Sequence, residues 1–220
     1  GSNLTCSFKA INVSANAVNR AEATGLSALQ STVLETGVWT VGATSSAGSA
    51  KAVGVAGDLF SQSSSSKLTV RAAGGTFALV NNAPAPGTDS SADAIGIDGN
   101  VLNFIPNLTV SAIAGRNAEY NNATAYGVKG TSGGISFLRR INVSATATDA
   151  AAAIGYAEQS LLDCADHVET ISATSDRSTA ASYGCRVENT ASVNFGLGGI
   201  LTVSARGAEN ATASGMSSTQ

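Results

Sequence analysis

Two sets of residues in this sequence could do chemistry. The first is acidic: Asp163, Asp166, His167 and Glu169 sit close together and include the sole histidine of the chain. Imidazole beside carboxylates is the raw material of a general acid–base centre or a metal site. A polysaccharide-cleaving site, however, needs carboxylates converging from several adjacent segments. Three acids and a histidine within one turn are read here as a solvated corner. The second set is hydroxylic. A Thr/Asn-x-Ser pattern recurs along the chain, with Asn12, Thr40, Thr69, Thr109, Asn142, Thr170 and Thr202 each followed two residues on by Ser14, Gly42, Arg71, Ser111, Ser144, Ser172 or Ser204. None of these is a carboxylate. If the segments stack, Thr40, Thr69, Thr109, Ser111, Thr170, Ser172, Thr202 and Ser204 form a flat array with spacings of about 4.8 Å and 6.6 Å. Such an array could match a crystal or ice surface, and Thr and Ser equally suit ordinary solvent-facing strand positions.

The elements that would position these residues are repeated seven times. A phrase of the form Ile/Leu-Asn/Thr-Val-Ser-Ala starts at Ile11, Trp39, Leu68, Leu108, Ile141, Glu169 and Leu201. A second phrase, Ala-x-Ala-x-Gly, ends on Gly25, Gly54, Gly96, Gly127, Gly155, Gly184 and Gly215. The two interleave without exception. Side chains of the first phrase alternate, so Leu108, Val110 and Ala112 should face a core while Thr109 and Ser111 face water. In the second phrase the residue after the glycine, such as Val128, falls out of phase, which predicts a bulge at the glycine. A third apolar cluster follows, containing Phe8, Phe60, Phe104, Phe137 and Phe195. Three short strands per period predict an all-β, three-sided parallel β-helix of about seven turns. The stack would bury a ladder of Ile/Leu/Val, a narrow ladder of Ala and a ladder of Phe.

The repeat runs from end to end, so residues 1–220 are expected to form a single solenoid domain. Leu4 to Ala10 reads as the tail of an earlier turn and Ser217 to Gln220 follows directly on a second phrase, so the chain is expected to be a segment of a longer protein. Open edges at both ends would favour end-to-end or edge self-association. Charged residues are 12% of the chain and the net charge is −3, which leaves no broad basic face for nucleic acid or anionic lipid. No apolar run approaches the roughly 20 residues needed to cross a bilayer. Cys6 and Cys185 fall in apolar slots and are read as small core residues. Glu22, Lys51 and Asp93 should stack as a self-neutralising surface ladder. Asp98-Gly99-Asn100 reads as a turn, and the Asp-rich nonapeptide of calcium-binding β-rolls is absent, so neither metal nor cofactor is expected. Asn-x-Ser/Thr acceptors at Asn3, Asn12, Asn107, Asn122, Asn142 and Asn210 are taken as by-products of an Asn-, Ser- and Thr-rich repeat.

The pattern resembles the right-handed parallel β-helices of secreted and bacterial surface proteins, including autotransporter passenger domains and adhesins with Ala-, Ser- and Gly-rich turns. The resemblance covers nearly the whole chain. It implies an extracellular, non-enzymatic structural or adhesive role, with a protein or glycan of a host or neighbouring cell as partner. Two insertions mark where that partner would touch: residues about 74–90, carrying Phe77, Asn81 and Asn82, and residues about 116–121, carrying Tyr120 and Asn121. Insertions at one corner of a solenoid map to one face. Two alternatives stand beside this reading. The hydroxyl array is similar to the Thr-x-Thr arrays of ice-binding β-solenoids. Many parallel β-helices act on polysaccharides, and the catalytic turns of such an enzyme would lie outside this sequence.

Overall fold

The computed structural model describes residues 3–35, 37–61, 67–75, 89–101, 105–115, 120–130, 134–136, 138–157, 161–163, 168–188, 192–194 and 199–219. Every regular element among them is a strand, and every strand pairing is parallel. The first phrases form one seven-stranded sheet. Its strands, in spatial order, are β2 (Ala10–Ala17), β4 (Val38–Ser45), β6 (Lys67–Gly74), β8 (Ile105–Ala114), β11 (Leu138–Ala147), β14 (Val168–Ser175) and β17 (Ile200–Arg206). The second phrases form an eight-stranded sheet of β1 (Asn3–Ser7), β3 (Arg20–Glu35), β5 (Ser49–Ser61), β7 (Asp89–Asp98), β9 (Tyr120–Lys129), β12 (Ala150–Ala157), β15 (Thr179–Glu188) and β18 (Asn210–Thr219). The chain alternates between the two sheets, which makes a β-solenoid of about 5 turns. That is fewer than the seven turns expected from the phrase copies.

Alternation in the first phrase works as its pattern predicts. Val41, Val70, Val110, Val143 and Ile171 are fully buried and stacked in register, with the half-buried Val13 and Val203 closing the ends. The eight-stranded sheet contributes Ala50, Ala92, Ala123 and Ala151 and, two residues on, Ala52, Ala94, Ala125 and Ala153. Ser182 continues the second alanine column, and its hydroxyl donates to the carbonyl of Ser204 across the core at 2.6 Å.

The glycine column is real, and its cause is crowding. A Cβ on Gly54 would lie 2.5 Å from the Gly96 carbonyl oxygen and 2.9 Å from the methyls of Leu68 and Val70. One on Gly155 would lie 2.5 Å from the Gly184 oxygen and 3.0 Å from Ile171 Cδ1. Large side chains of one sheet thus reach the backbone of the other. The following residue also turns inward, so Val55, Ile97, Val128 and Tyr156 are wholly buried, which is the predicted change of phase.

The third side departs from expectation. In the N-terminal coils the third segment is no separate sheet: β3 and β5 run on past a register shift between Ser27 and Gln30, and β1 pairs with the far half of β3. Among the described residues a distinct third sheet exists only over β10 (Gly134–Ser136), β13 (Leu161–Asp163) and β16 (Ser192–Asn194). The phenylalanine ladder is visible only at Phe8, whose ring lies 4.9 Å from that of Trp39. Phe104, Phe137 and Phe195 lie outside the described residues, as does the side chain of Phe60. Cys6 is half-buried against the core, and that burial pushes its thiol pKa up.

Tight corners join the two sheets. Ser45 Oγ accepts from the Gly48 amide at 3.0 Å and donates to the Val18 carbonyl of the coil below at 2.8 Å. Ser175 repeats the device with the Ser178 amide and the Thr148 carbonyl. The hydroxyl substitutes for backbone partners that a sharp turn leaves open.

Candidate functional surface

The hydroxyl array forms as a geometric object. Thr40, Thr69 and Thr109 are consecutive register partners, as are Thr170 and Thr202, with Asn12 and Asn142 interrupting the column. The second column runs Ser14, Gly42, Arg71, Ser111, Ser144, Ser172, Ser204. All point away from the core and are exposed or half-buried. Parallel pairing in constant register spaces the columns evenly, at about 4.8 Å per strand.

A further outward column precedes the threonines: Ala10, Val38, Lys67, Asn107, Arg140, Val168 and Ile200. Together these columns give the seven-stranded sheet an uneven face. Its centre carries Lys67, Arg71 and Arg140 among amides and hydroxyls, and no outward position of its described strands bears a carboxylate. A depression of about 280 Å³ lies there, lined by Lys67, Asn107, Leu108, Thr109, Arg140 and Asn142. A second, of about 390 Å³, opens at the far corner between Asp176 and Arg206, where both charge signs are present.

The eight-stranded sheet faces outward differently. Glu22, Lys51 and Asp93 stack as anticipated, and Glu22 also pairs with Arg20 at 2.5 Å on the surface. Burial raises the Asp93 pKa, opposed by the positive charges of Lys51 and Lys129. Lys129 lies over the Tyr126 ring at 5.4 Å and Arg186 over the Tyr183 ring at 5.5 Å.

The structure corrects two readings of individual residues. Glu169 is no part of a solvated corner. It occupies the first inward slot of β14, paired with Ile141 and Leu201, and is 1% exposed. The repeat alignment carried this signal, since every other copy has Ile, Leu or Trp there. Asp166 and His167 lie outside the described residues, as does the side chain of Asp163. Among the described residues no group of three or more metal-ligating side chains forms.

Asn121 is the second correction. It does not project from an inserted loop but sits in β9 with its side chain fully buried. Its backbone N–H donates to Asp149 Oδ2 at 2.8 Å, and its side-chain Oδ1 accepts from Ser90 Oγ. The insertion therefore ends before Tyr120. Phe77, Asn81 and Asn82 lie outside the described residues, as does the side chain of Tyr120. The roots of the two insertions are described. They leave the sheets at Gly75 (φ +60°) and Gly115, and they re-enter at the register partners Asp89 and Tyr120. Both thus belong to one corner, with the Gly115 amide bonded to the Gly74 carbonyl at 2.7 Å.

Among the described residues no helix is long and apolar enough to cross a membrane. Comparison with protein-family models, with curated proteins and with solved structures returns no match to this chain.

Proposed function

We propose that this chain is a non-enzymatic β-solenoid segment of a secreted or cell-surface protein, in which a rigid coil holds an adhesive surface towards a protein or glycan of another cell. The observation that carries the reading is the outward face of the seven-stranded sheet. Its hydroxyls, amides and cations are locked in register over a largely apolar core. Backbone bonding on both sides of each interior strand keeps such a face flat. Many weak, evenly spaced contacts then add up against an extended partner. The paired insertions at the β6–β8 corner supply a second contact region beside it.

Binding of the intact chain to panels of glycans and cell-surface proteins tests this reading. Deleting Phe77 to Pro86 should leave the fold intact, because loop shortening changes closure entropy only modestly. The deletion should abolish binding if the corner holds the partner. Release of unsaturated oligosaccharides from an acidic polysaccharide, without stable binding, would replace adhesion by catalysis.

One observation favours a second reading, ice or crystal binding: Thr40, Thr69 and Thr109 are direct register neighbours. Thermal hysteresis in the intact chain that vanishes in a Thr109→Tyr/Thr170→Tyr variant would put this reading first.

A further inference from the structure

We infer that the groove across β6, β8 and β11 binds an acidic polysaccharide, with Lys67 and Arg140 holding its sulfate or carboxylate groups and Asn107, Thr109 and Asn142 meeting its hydroxyls. This names the ligand class for the adhesive surface proposed above and rests on that reading.

The first support is placement. Lys67, Asn107 and Arg140 are consecutive register partners, so the two cations stand on either side of one amide. Two inter-strand spacings separate their backbones by about 9–10 Å. Both are exposed at the lip of the 280 Å³ depression, whose floor is Leu108 and whose walls are amide and hydroxyl groups. Cations flanking a patch of donors and acceptors suit a ligand whose anionic groups are separated by hydroxylated rings. Arg71, four residues beyond Lys67 on β6 and also exposed, extends the positive track along the strand by about 13 Å.

The second support is charge segregation. Among the described residues the acids lie on the eight-stranded sheet, the third sheet and the corners, except Glu169, which stands in the seven-stranded sheet but faces inward. The outward face of the seven-stranded sheet has only cations as charged groups. Among the described residues no ion pair involves Lys67, Arg71 or Arg140, whereas Arg20 is paired with Glu22. These three cations need not break an internal pair to take an external anion.

The chemistry of the rest of the molecule narrows the anion. The net charge of −3 and the absence of any broad basic surface oppose duplex DNA, which carries one charge per about 1.7 Å of axis. They also oppose an anionic membrane, which a few cations per face hold only weakly. A polymer with sparser charges and abundant hydroxyls fits three cations set among amides.

The test measures affinity of the intact chain for heparin, polygalacturonate, neutral dextran and duplex DNA at fixed salt, alongside two charge-matched variants. Lys67→Gln/Arg140→Gln removes the groove cations, and Arg20→Gln/Arg177→Gln removes two exposed cations elsewhere. Melting temperatures confirm that both variants fold. Binding of heparin or polygalacturonate should fall roughly 100-fold in the first variant, about tenfold per charge-assisted contact, and by less than about twofold in the second. Whether heparin or polygalacturonate binds more tightly tells sulfate from carboxylate. Equal losses in both variants, DNA bound as tightly as heparin, or no acidic polymer bound at all would overturn the site. Failure of the unmodified chain to bind any acidic polymer, with glycan or protein capture still dependent on the 74–90 insertion, would overturn the site and leave the adhesive reading standing.

Discussion

The two large sheets solve one packing problem in opposite ways. The seven-stranded sheet pushes Leu, Ile and Val inward, whereas the eight-stranded sheet offers Ala, Ala and Gly before its apolar residue turns in. Large side chains from one side fill the space that small residues of the other leave open, so the two faces come close. The outward faces diverge as well. One is hydroxylic and cationic, and the other mixes acids, bases and aromatic–cation pairs. The consequence is a division of labour within each coil: where the inward residues are bulky and β-branched, the outward ones are left free to vary.

Four substitutions test this contrast, in falling order of expected effect. Val110→Asp places a charge in the middle of the dry ladder and should cost about 4–5 kcal/mol or more, seen as loss of the folding transition in thermal melts. Gly54→Ala strikes the other sheet. Its methyl would meet the Gly96 carbonyl and the Leu68 and Val70 methyls, and it should cost about 3 kcal/mol. A Gly54→Ala chain as stable as the parent would show that the sheets are not held at contact distance. Ser45→Ala removes a corner hydroxyl that both accepts and donates, at a cost of about 1–2 kcal/mol by chemical denaturation.

The smallest effect is electrostatic and is read as a pH dependence. Because burial raises the folded-state pKa of Asp93 above 3.8, its proton stabilises the fold. That contribution is present below the unfolded value and is lost as pH rises through the folded one. Asp93→Asn should therefore flatten the stability–pH curve just above pH 3.8 and leave the rest unchanged. A curve identical to the parent's in that window would remove Asp93 from the account.

Periodicity alone determined much of this protein. The alternation in Leu108-Thr109-Val110-Ser111-Ala112 separates core from surface, because successive side chains of a strand point to opposite faces, and interleaving of the two phrases puts their copies into separate parallel sheets. The slot of Glu169 was equally legible, since the alignment that places Ile141 and Leu201 in the ladder places Glu169 between them. Residue types, however, misled: an acid beside a histidine looks solvated until its strand fixes which way it points.

Only the tertiary structure decided the rest. The glycines are dictated by a carbonyl one coil away and methyls from the opposite sheet, and no local pattern contains either. Asn121 looks like a loop residue in sequence but is buried, because Ser90 and Asp149, 31 and 28 residues away, supply its partners. The groove at Lys67, Asn107 and Arg140 joins residues from three coils separated by insertions of unequal length. The phrase alignment pairs them, since each directly precedes a phrase start at Leu68, Leu108 or Ile141, but the depression they line is set by the packing of three strands. The pairing survives the insertions because parallel strands align by backbone hydrogen bonds and inward packing and are indifferent to the length of chain between them.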